Sequence, residues 1–170
     1  MSETSNDTNP QNHEACHSIM TLWKRPGFLI RRAHQIHVAL FLEECAEFNL
    51  TPIQYGILTE LSENPGIDQI TIAREVGIDR TNVADVLKRL EKRGFLSRKT
   101  AKHDRRMKLV HLTPEGHQVV TAMFNSMMTA QIKFVAPLSE NENELFLELL
   151  LRLVRENNHL GRTDLKPSKM

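Results

Sequence analysis

The stretch from Thr71 to Leu90 constrains the fold more than any other part of the chain. Ala73 is small where two helices would cross closely, and Gly77 permits the positive φ that a tight turn between them requires. Ile72, Val76, Ile78, Val83 and Val86 are apolar where two such helices must clamp together. This is the spacing of a helix-turn-helix. A plain helical hairpin would share the apolar spacing, so the residues after the second helix decide between the two.

Past Gly94 the period changes. Phe95–Lys99 and Lys108–Leu112 suit short strands, joined by the polar loop Thr100–Met107. A basic loop between two strands, directly after a helix-turn-helix, is the sequence pattern of a winged helix. The second helix, capped by Asp79 and running to Gly94, can then be oriented. Val83, Val86, Leu87 and Leu90 turn inward, which leaves Arg80, Thr81, Asn82, Asp85, Lys88 and Arg89 toward solvent or DNA. The N-terminal residues of such a helix reach base edges in the major groove, so Thr81, Asn82 and Asp85 are candidates for reading bases. Arg80, Lys88 and Arg89 fit phosphate contacts, which position without specifying. Asp85 could accept from cytosine N4, but its i, i+4 spacing to Arg89 favours orienting that arginine.

Charge agrees locally while the average hides it. The whole chain carries a formal net charge of +1. Between Asp68 and Lys108 there are twelve Lys/Arg and six Asp/Glu, and the rest of the chain holds ten basic and fifteen acidic residues. The bias is steepest from Lys88 to Lys108, which includes Lys102, Arg105 and Arg106, against Glu91 and Asp104 alone. Such a patch attracts a polyanion, while the acidic remainder keeps the whole near neutrality.

The remaining chain reads as helices around this unit. A helix from Pro26 to about Phe48 carries two apolar stripes, one of them shared by Ile30, His34, His37, Phe41, Cys45 and Phe48. Thr51-Pro52-Ile53-Gln54 is a capping box for a helix ending near Asn64, and Asp68 starts a short one that Gly77 stops. Thr113-Pro114 opens a long helix to about Pro137, and Ser139 with Glu142 caps a last one bearing Leu145, Leu149, Leu150 and Leu153. Residues 1–20 and 158–170 read as flexible tails, leaving a single domain at 21–157 with the winged unit at about 51–113. No run approaches the roughly 18 apolar residues of a membrane span, and the polar N-terminus is no secretory signal. Two cysteines, Cys16 and Cys45, make no disulfide framework, so a reducing cytoplasm is expected.

The run Asp104-Arg105-Arg106-Met107-Lys108-Leu109-Val110-His111-Leu112-Thr113-Pro114-Glu115-Gly116 resembles the wing signature of the MarR family of transcriptional regulators. Arg80–Val83 through Leu90–Gly94 resembles that family's recognition helix, and the similarity spans roughly Phe28 to Val154. The resemblance implies a mainly α fold with a small β-hairpin wing and terminal dimerisation helices at about 26–48 and 114–157. It also implies a homodimer on a pseudo-palindromic duplex, Asp104 bracing the wing through Arg106, and a wing arginine entering the minor groove.

Pro26–His37 resembles the first helix of family members that govern aromatic-acid catabolism. That implies a repressor released by an aromatic acid or its CoA thioester, bound between the first helix and the DNA-binding lobe. Arg31 and Arg32 would take the negative group and His34 and His37 the ring substituent, since an arginine–carboxylate pair is a strong charge-assisted contact. The bland alternative makes the histidines core or interface residues and the arginines surface. A redox-responsive regulator and an architectural DNA-binding protein without effector are the competing readings. The hydroperoxide-sensing members carry a cysteine about where Leu29 or Ile30 stands here. His13, Cys16 and His17 are close together but lie in a tail with no paired cluster elsewhere, so no metal is expected; no cofactor is expected, and no motif of an enzyme is present.

Overall fold

The computed structural model describes residues 21–101 and 106–161. They fall in two compact units that divide between Ala39 and Leu40. The first holds a 3-10 turn, Leu22–Lys24, and most of helix α1 (Pro26–Glu44), which continues into the second. The second unit adds a 3-10 turn (Ala46–Phe48), α2 (Pro52–Glu63), β1 (Ile67–Asp68), α3 (Gln69–Val76), α4 (Arg80–Lys92), β2 (Leu96–Thr100), β3 (Lys108–Leu112), α5 (Pro114–Val135) and α6 (Glu140–Asn157). A 3-10 turn at Asn158–Leu160 stands where a flexible tail was expected to begin. The fold class is therefore the expected one, mainly helical with a small antiparallel wing.

Most helix ends follow from local chemistry. The Gln54 amide donates to Thr51 Oγ1 at 3.3 Å while the Thr51 amide donates to Gln54 Oε1 at 2.9 Å, so the predicted capping box closes. Glu142 accepts from both the amide and the hydroxyl of Ser139, each at 2.8 Å. Asp68 caps α3 by accepting from the amides of Ile70 and Thr71 at 2.7 and 3.2 Å and from the Thr71 hydroxyl at 2.8 Å. Burial works against this carboxylate, but those hydrogen bonds outweigh it and hold its pKa below the ordinary range. Asp79 departs from expectation: it occupies the N-cap of α4, but its side chain makes no cap hydrogen bond. The first helix also stops short of Phe48, because Cys45 leaves helical geometry and Asn49 turns left-handed at φ 48°.

Among the described residues three strands form the sheet, in the order β1-β3-β2, with Leu96 opposite Leu112 and Thr100 opposite Lys108. β1 was not expected; its two residues pair with Val110 and Leu109 and close the outer edge of β3. Alternation along the strands sends Leu96 and Val110 into the core. There they join Leu58 and Leu61 of α2, Ile72 of α3, and Val83, Leu87 and Leu90 of α4, each removing apolar surface worth about 1.5–3 kcal/mol. α6 buries no residue at all, and Leu145, Leu149 and Leu153 are 53, 43 and 52 % exposed.

Asp68→Ala should lower the unfolding free energy by about 1 kcal/mol at neutral pH, with Asp68→Asn keeping most of the cap. Because the folded-state pKa is depressed, the charge-dependent part of this stability is present above the ordinary carboxylate range and is lost as pH falls through the folded pKa. Urea melts at pH 7 and at about pH 3 should therefore show a smaller difference between wild type and Asp68→Asn in acid. A difference that does not change with pH would contradict the assignment.

Candidate nucleic-acid interface

α4 presents two faces of opposite character. Val83, Leu87 and Leu90 are fully buried and Val86 is half-buried, whereas Thr81, Asn82, Asp85, Lys88 and Arg89 are exposed. The face expected to meet DNA is thus the solvent face, with Thr81, Asn82 and Asp85 in its N-terminal half. The side chain of Arg80 lies outside the described set. The expected pairing of Asp85 with Arg89 is not made, whereas Arg98–Glu91, Lys133–Glu44 and Arg152–Glu148 do form ion pairs. Both side chains stand in water, where an exposed i, i+4 pair is worth only a few tenths of a kcal/mol against the entropy of ordering it.

Beside this helix the sheet carries a second set of cations. Arg98 on β2 reaches Glu91 of α4 with Nε 3.1 Å from the carboxylate, a Coulombic contact not aligned as a hydrogen bond. Lys108 Nζ donates to Thr100 Oγ1 at 2.7 Å across the hairpin. A cleft of about 590 Å³ opens where α3 meets the wing, lined among others by Asp68, Thr71, Arg74, Arg98, Arg106 and Lys108. Arg106 is exposed on its rim. Lys102, Asp104 and Arg105, and with them the expected Asp104 brace, lie outside the described residues. Arg74 and Arg98 stand out in the sequence only as charge. The alternation of β2 and the i, i+4 step from Ile70 to Arg74 are the signals that could have placed them.

The turn after α4 fixes the helix to its surroundings. Gly94 adopts φ 80°, the Phe95 amide donates to the Leu90 carbonyl at 3.1 Å and the Gly94 amide to Glu91 at 2.9 Å, a complete left-handed helix stop. The same turn is held from α5. Thr113 Oγ1 donates to the Gly94 carbonyl at 2.6 Å, and the Thr113 amide donates to the Phe95 carbonyl at 3.1 Å. Gly116 packs so tightly here that a Cβ on it would overlap the Phe95 carbonyl oxygen.

On α1, Arg31 and Arg32 are exposed, His34 is exposed and His37 is half-buried. The Arg31 guanidinium lies 5.4 Å from the centre of the Phe28 ring, which meets Trp23 edge-on at 5.1 Å. Arg32 donates to Gln35 Oε1 at 3.0 Å. Partial burial and the neighbouring His34 hold the His37 imidazole below its ordinary pKa, favouring the neutral ring. Cys45 is 1 % exposed, and burial together with Glu44 and Glu47 raises its thiol pKa, which makes it a poor redox sensor. His13, Cys16 and His17 lie outside the described residues, within which no cluster suited to a metal occurs. No helix among those residues is long and apolar enough to cross a membrane.

The sequence model of the MarR family matches residues 50–108, the span from α2 to the start of β3. The crystal structure of the PcaV transcriptional regulator from Streptomyces coelicolor, solved with its natural ligand, superposes with a TM-score of 0.75 at 34 % identity, covering 80 % of this chain and 96 % of that one. The chain belongs to the MarR family. Its helix-turn-helix and wing are those of a transcription regulator, a class that binds DNA and performs no catalysis. Two further relatives of this MarR-family chain are informative. Bordetella bronchiseptica BpsR, whose DNA binding is regulated by 6-hydroxynicotinic acid, is 29 % identical, with a TM-score of 0.74 over 76 % of this chain and 93 % of that one. The transcriptional repressor CouR, solved on a 23-mer DNA duplex, is 28 % identical, with a TM-score of 0.75 over 80 % and 96 %.

Gly116→Ala tests the contact between α5 and the turn after α4. Helix propensity alone would make the substitution stabilising by up to about 1 kcal/mol. Overlap with the Phe95 carbonyl should instead make it destabilising, by about 1–3 kcal/mol. Urea unfolding would measure this, and a stabilised variant would show that the contact is loose.

Proposed function

We propose that this MarR-family regulator is a repressor that holds a pseudo-palindromic operator as a homodimer and releases it when an aromatic acid, free or as its CoA thioester, binds. The observation that carries the DNA half is the exposed row Thr81, Asn82, Asp85, Lys88 and Arg89 on α4. Thr81, Asn82 and Asp85 read base edges, while Arg80, Lys88 and Arg89 hold phosphates. On the wing, Lys102, Arg105 and Arg106 meet the backbone or a narrow minor groove, with Asp104 bracing Arg106.

The dimer is supported by α6, an amphipathic helix whose apolar side is left in water within one chain. Phe124 and Ile132 of α5 and Leu145, Leu149 and Leu153 of α6 are exposed within one chain, as large apolar residues at an interaction surface are. An interface of obligate size, above about 2,000 Å², would cover them.

The effector half rests on the named relatives and on the chemistry of α1. Arg31 or Arg32 takes the carboxylate, His34 and His37 hydrogen-bond the ring substituent or the carbonyl, and the Phe28 and Trp23 rings offer apolar surface beside the cation. The ligand can weaken operator binding only by its differential affinity for two states of the protein. A hundredfold effect needs about 2.7 kcal/mol, within the range of one charge-assisted pair made in one state alone.

A duplex selected by the protein from a random-sequence pool provides the assay, read by fluorescence anisotropy. With about four phosphates neutralised per protomer, log K should fall against log salt with a slope near −7. Asn82→Ala should relax preference at particular base pairs. Addition of 6-hydroxynicotinic acid, hydroxycinnamic acids or their CoA thioesters should identify at least one compound that lowers affinity. Either Arg31→Ala or Arg32→Ala should bind the duplex normally and fail to respond. A flat salt response would overturn the DNA reading. Undiminished binding with every acid, or full response in both arginine variants, would overturn the effector reading.

A further inference from the structure

Arg93 sits at the C-cap of α4, on the side away from the base-reading end. Its guanidinium donates through Nη1 to the Asn49 carbonyl at 2.6 Å and through Nη2 to the Phe48 carbonyl at 2.9 Å. One face of the same group lies over the Phe95 ring, 4.7 Å from its centre. Both carbonyls belong to the corner between α1 and α2, where Asn49 is left-handed and the 3-10 turn ends. That corner is in turn held by an ion pair from Lys133 of α5 to Glu44. The forked guanidinium therefore spans forty-four residues of chain and joins the end of the recognition helix to a fixed point in the body of the unit.

The lever explains why such a tie matters for reading DNA. Asn82 lies eleven residues before Arg93, about 16 Å along a helix, so a tilt of roughly 10° at the C-terminal end displaces the reading residues by about 3 Å. That exceeds the tolerance of a hydrogen bond to a base edge, whereas a phosphate contact by a long flexible side chain survives it. The apolar contacts of Val83, Leu87 and Leu90 hold the helix down but are non-directional. Two hydrogen bonds to fixed carbonyls and a stacked ring supply the direction that those contacts lack.

We propose that Arg93 is a positioning residue for sequence recognition: by clamping the Phe48 and Asn49 carbonyls it sets the tilt of α4, without itself touching DNA. The inference rests on DNA recognition by α4 and is independent of the effector.

The test uses the full chain, the duplex it selects from a random pool, and a scrambled duplex of the same length. Arg93→Ala should weaken binding to the selected duplex by about tenfold or more, as expected for two lost hydrogen bonds to a charged group. Scrambled-duplex affinity and the salt slope should stay as in wild type. Arg93→Lys should fail similarly, because an ammonium keeps the charge but cannot bridge two carbonyls and stack on the ring at once. Thermal melts of both variants report whether the fold persists, and the lysine variant keeps the charge should alanine prove unstable. Three results would each overturn the proposal. A salt slope flatter by about 1.8, one phosphate lost from each protomer, with loss on both duplexes would make Arg93 a phosphate contact. An unchanged ratio between the two duplexes, with lowered melting temperature, would make it merely structural. Full rescue by lysine would make its charge the working property.

Discussion

The carbonyl oxygen of Phe95 is where the recognition helix, the wing and the long helix α5 meet. It accepts from the Thr113 amide, its neighbour Gly94 accepts from the Thr113 hydroxyl, and Gly116 leaves no room for a side chain between α5 and the turn. These are short polar contacts with defined directions, and each links the end of α4 to the start of α5. The same Thr113 oxygen accepts from the Gly116 amide at 3.1 Å, so the cap of α5 and the tether of α4 are one side chain. A displacement of α5 is therefore carried to the turn that ends α4, because the first turn of one cannot move without the last turn of the other.

This arrangement suits a protein whose helix-turn-helix must keep a fixed orientation. Apolar packing under α4 provides most of the stability and little orientation, since the hydrophobic contacts of Val83, Leu87 and Leu90 are non-directional. Orientation comes from polar ties at the C-terminal end of the helix, leaving its N-terminal half free for contact with another molecule. Charge is segregated in the same way. The cations of α3, the wing and the exposed face of α4 cluster in one stretch of chain, and the acidic excess lies elsewhere. Long-range attraction then draws a polyanion to that stretch while the molecule as a whole stays close to neutral.

The helices and the wing are legible in the amino-acid sequence because each carries a local signature. Gly77 and Gly94 both adopt positive φ where the pattern requires a stop, and Thr51, Asp68, Thr113 and Ser139 stand at the helix starts they were expected to mark. The solvent face of α4 follows from the period of Val83, Leu87 and Leu90. β1 escapes because a strand of two residues has no period; it exists through its partners Val110 and Leu109. The Asp85–Arg89 pair fails for one reason, since sequence spacing shows what a side chain can reach but not whether ordering it outweighs leaving it in water. The ties at Phe95, Arg93 and Lys133 were invisible for another: each joins segments distant in the chain, and no local pattern announces a contact of that kind. Among the residues expected to face DNA, the exposed positions of α4 could be placed from periodicity, whereas the cleft built by Arg74, Arg98 and Arg106 depends on how α3 and the sheet come together.

Native-state hydrogen exchange at the amides of Phe95 and Thr113 tests most directly whether this junction is as firm as the account requires. Both amides are hydrogen-bonded within it, to the Leu90 and Phe95 carbonyls. If the junction carries the orientation of the recognition helix, they exchange with the slowest class, together with the core amides of α4 at Leu87 and Leu90, through global unfolding. Exchange by a low-energy local opening, with the core amides still protected, would show that α4 and α5 are only loosely joined and would contradict the account.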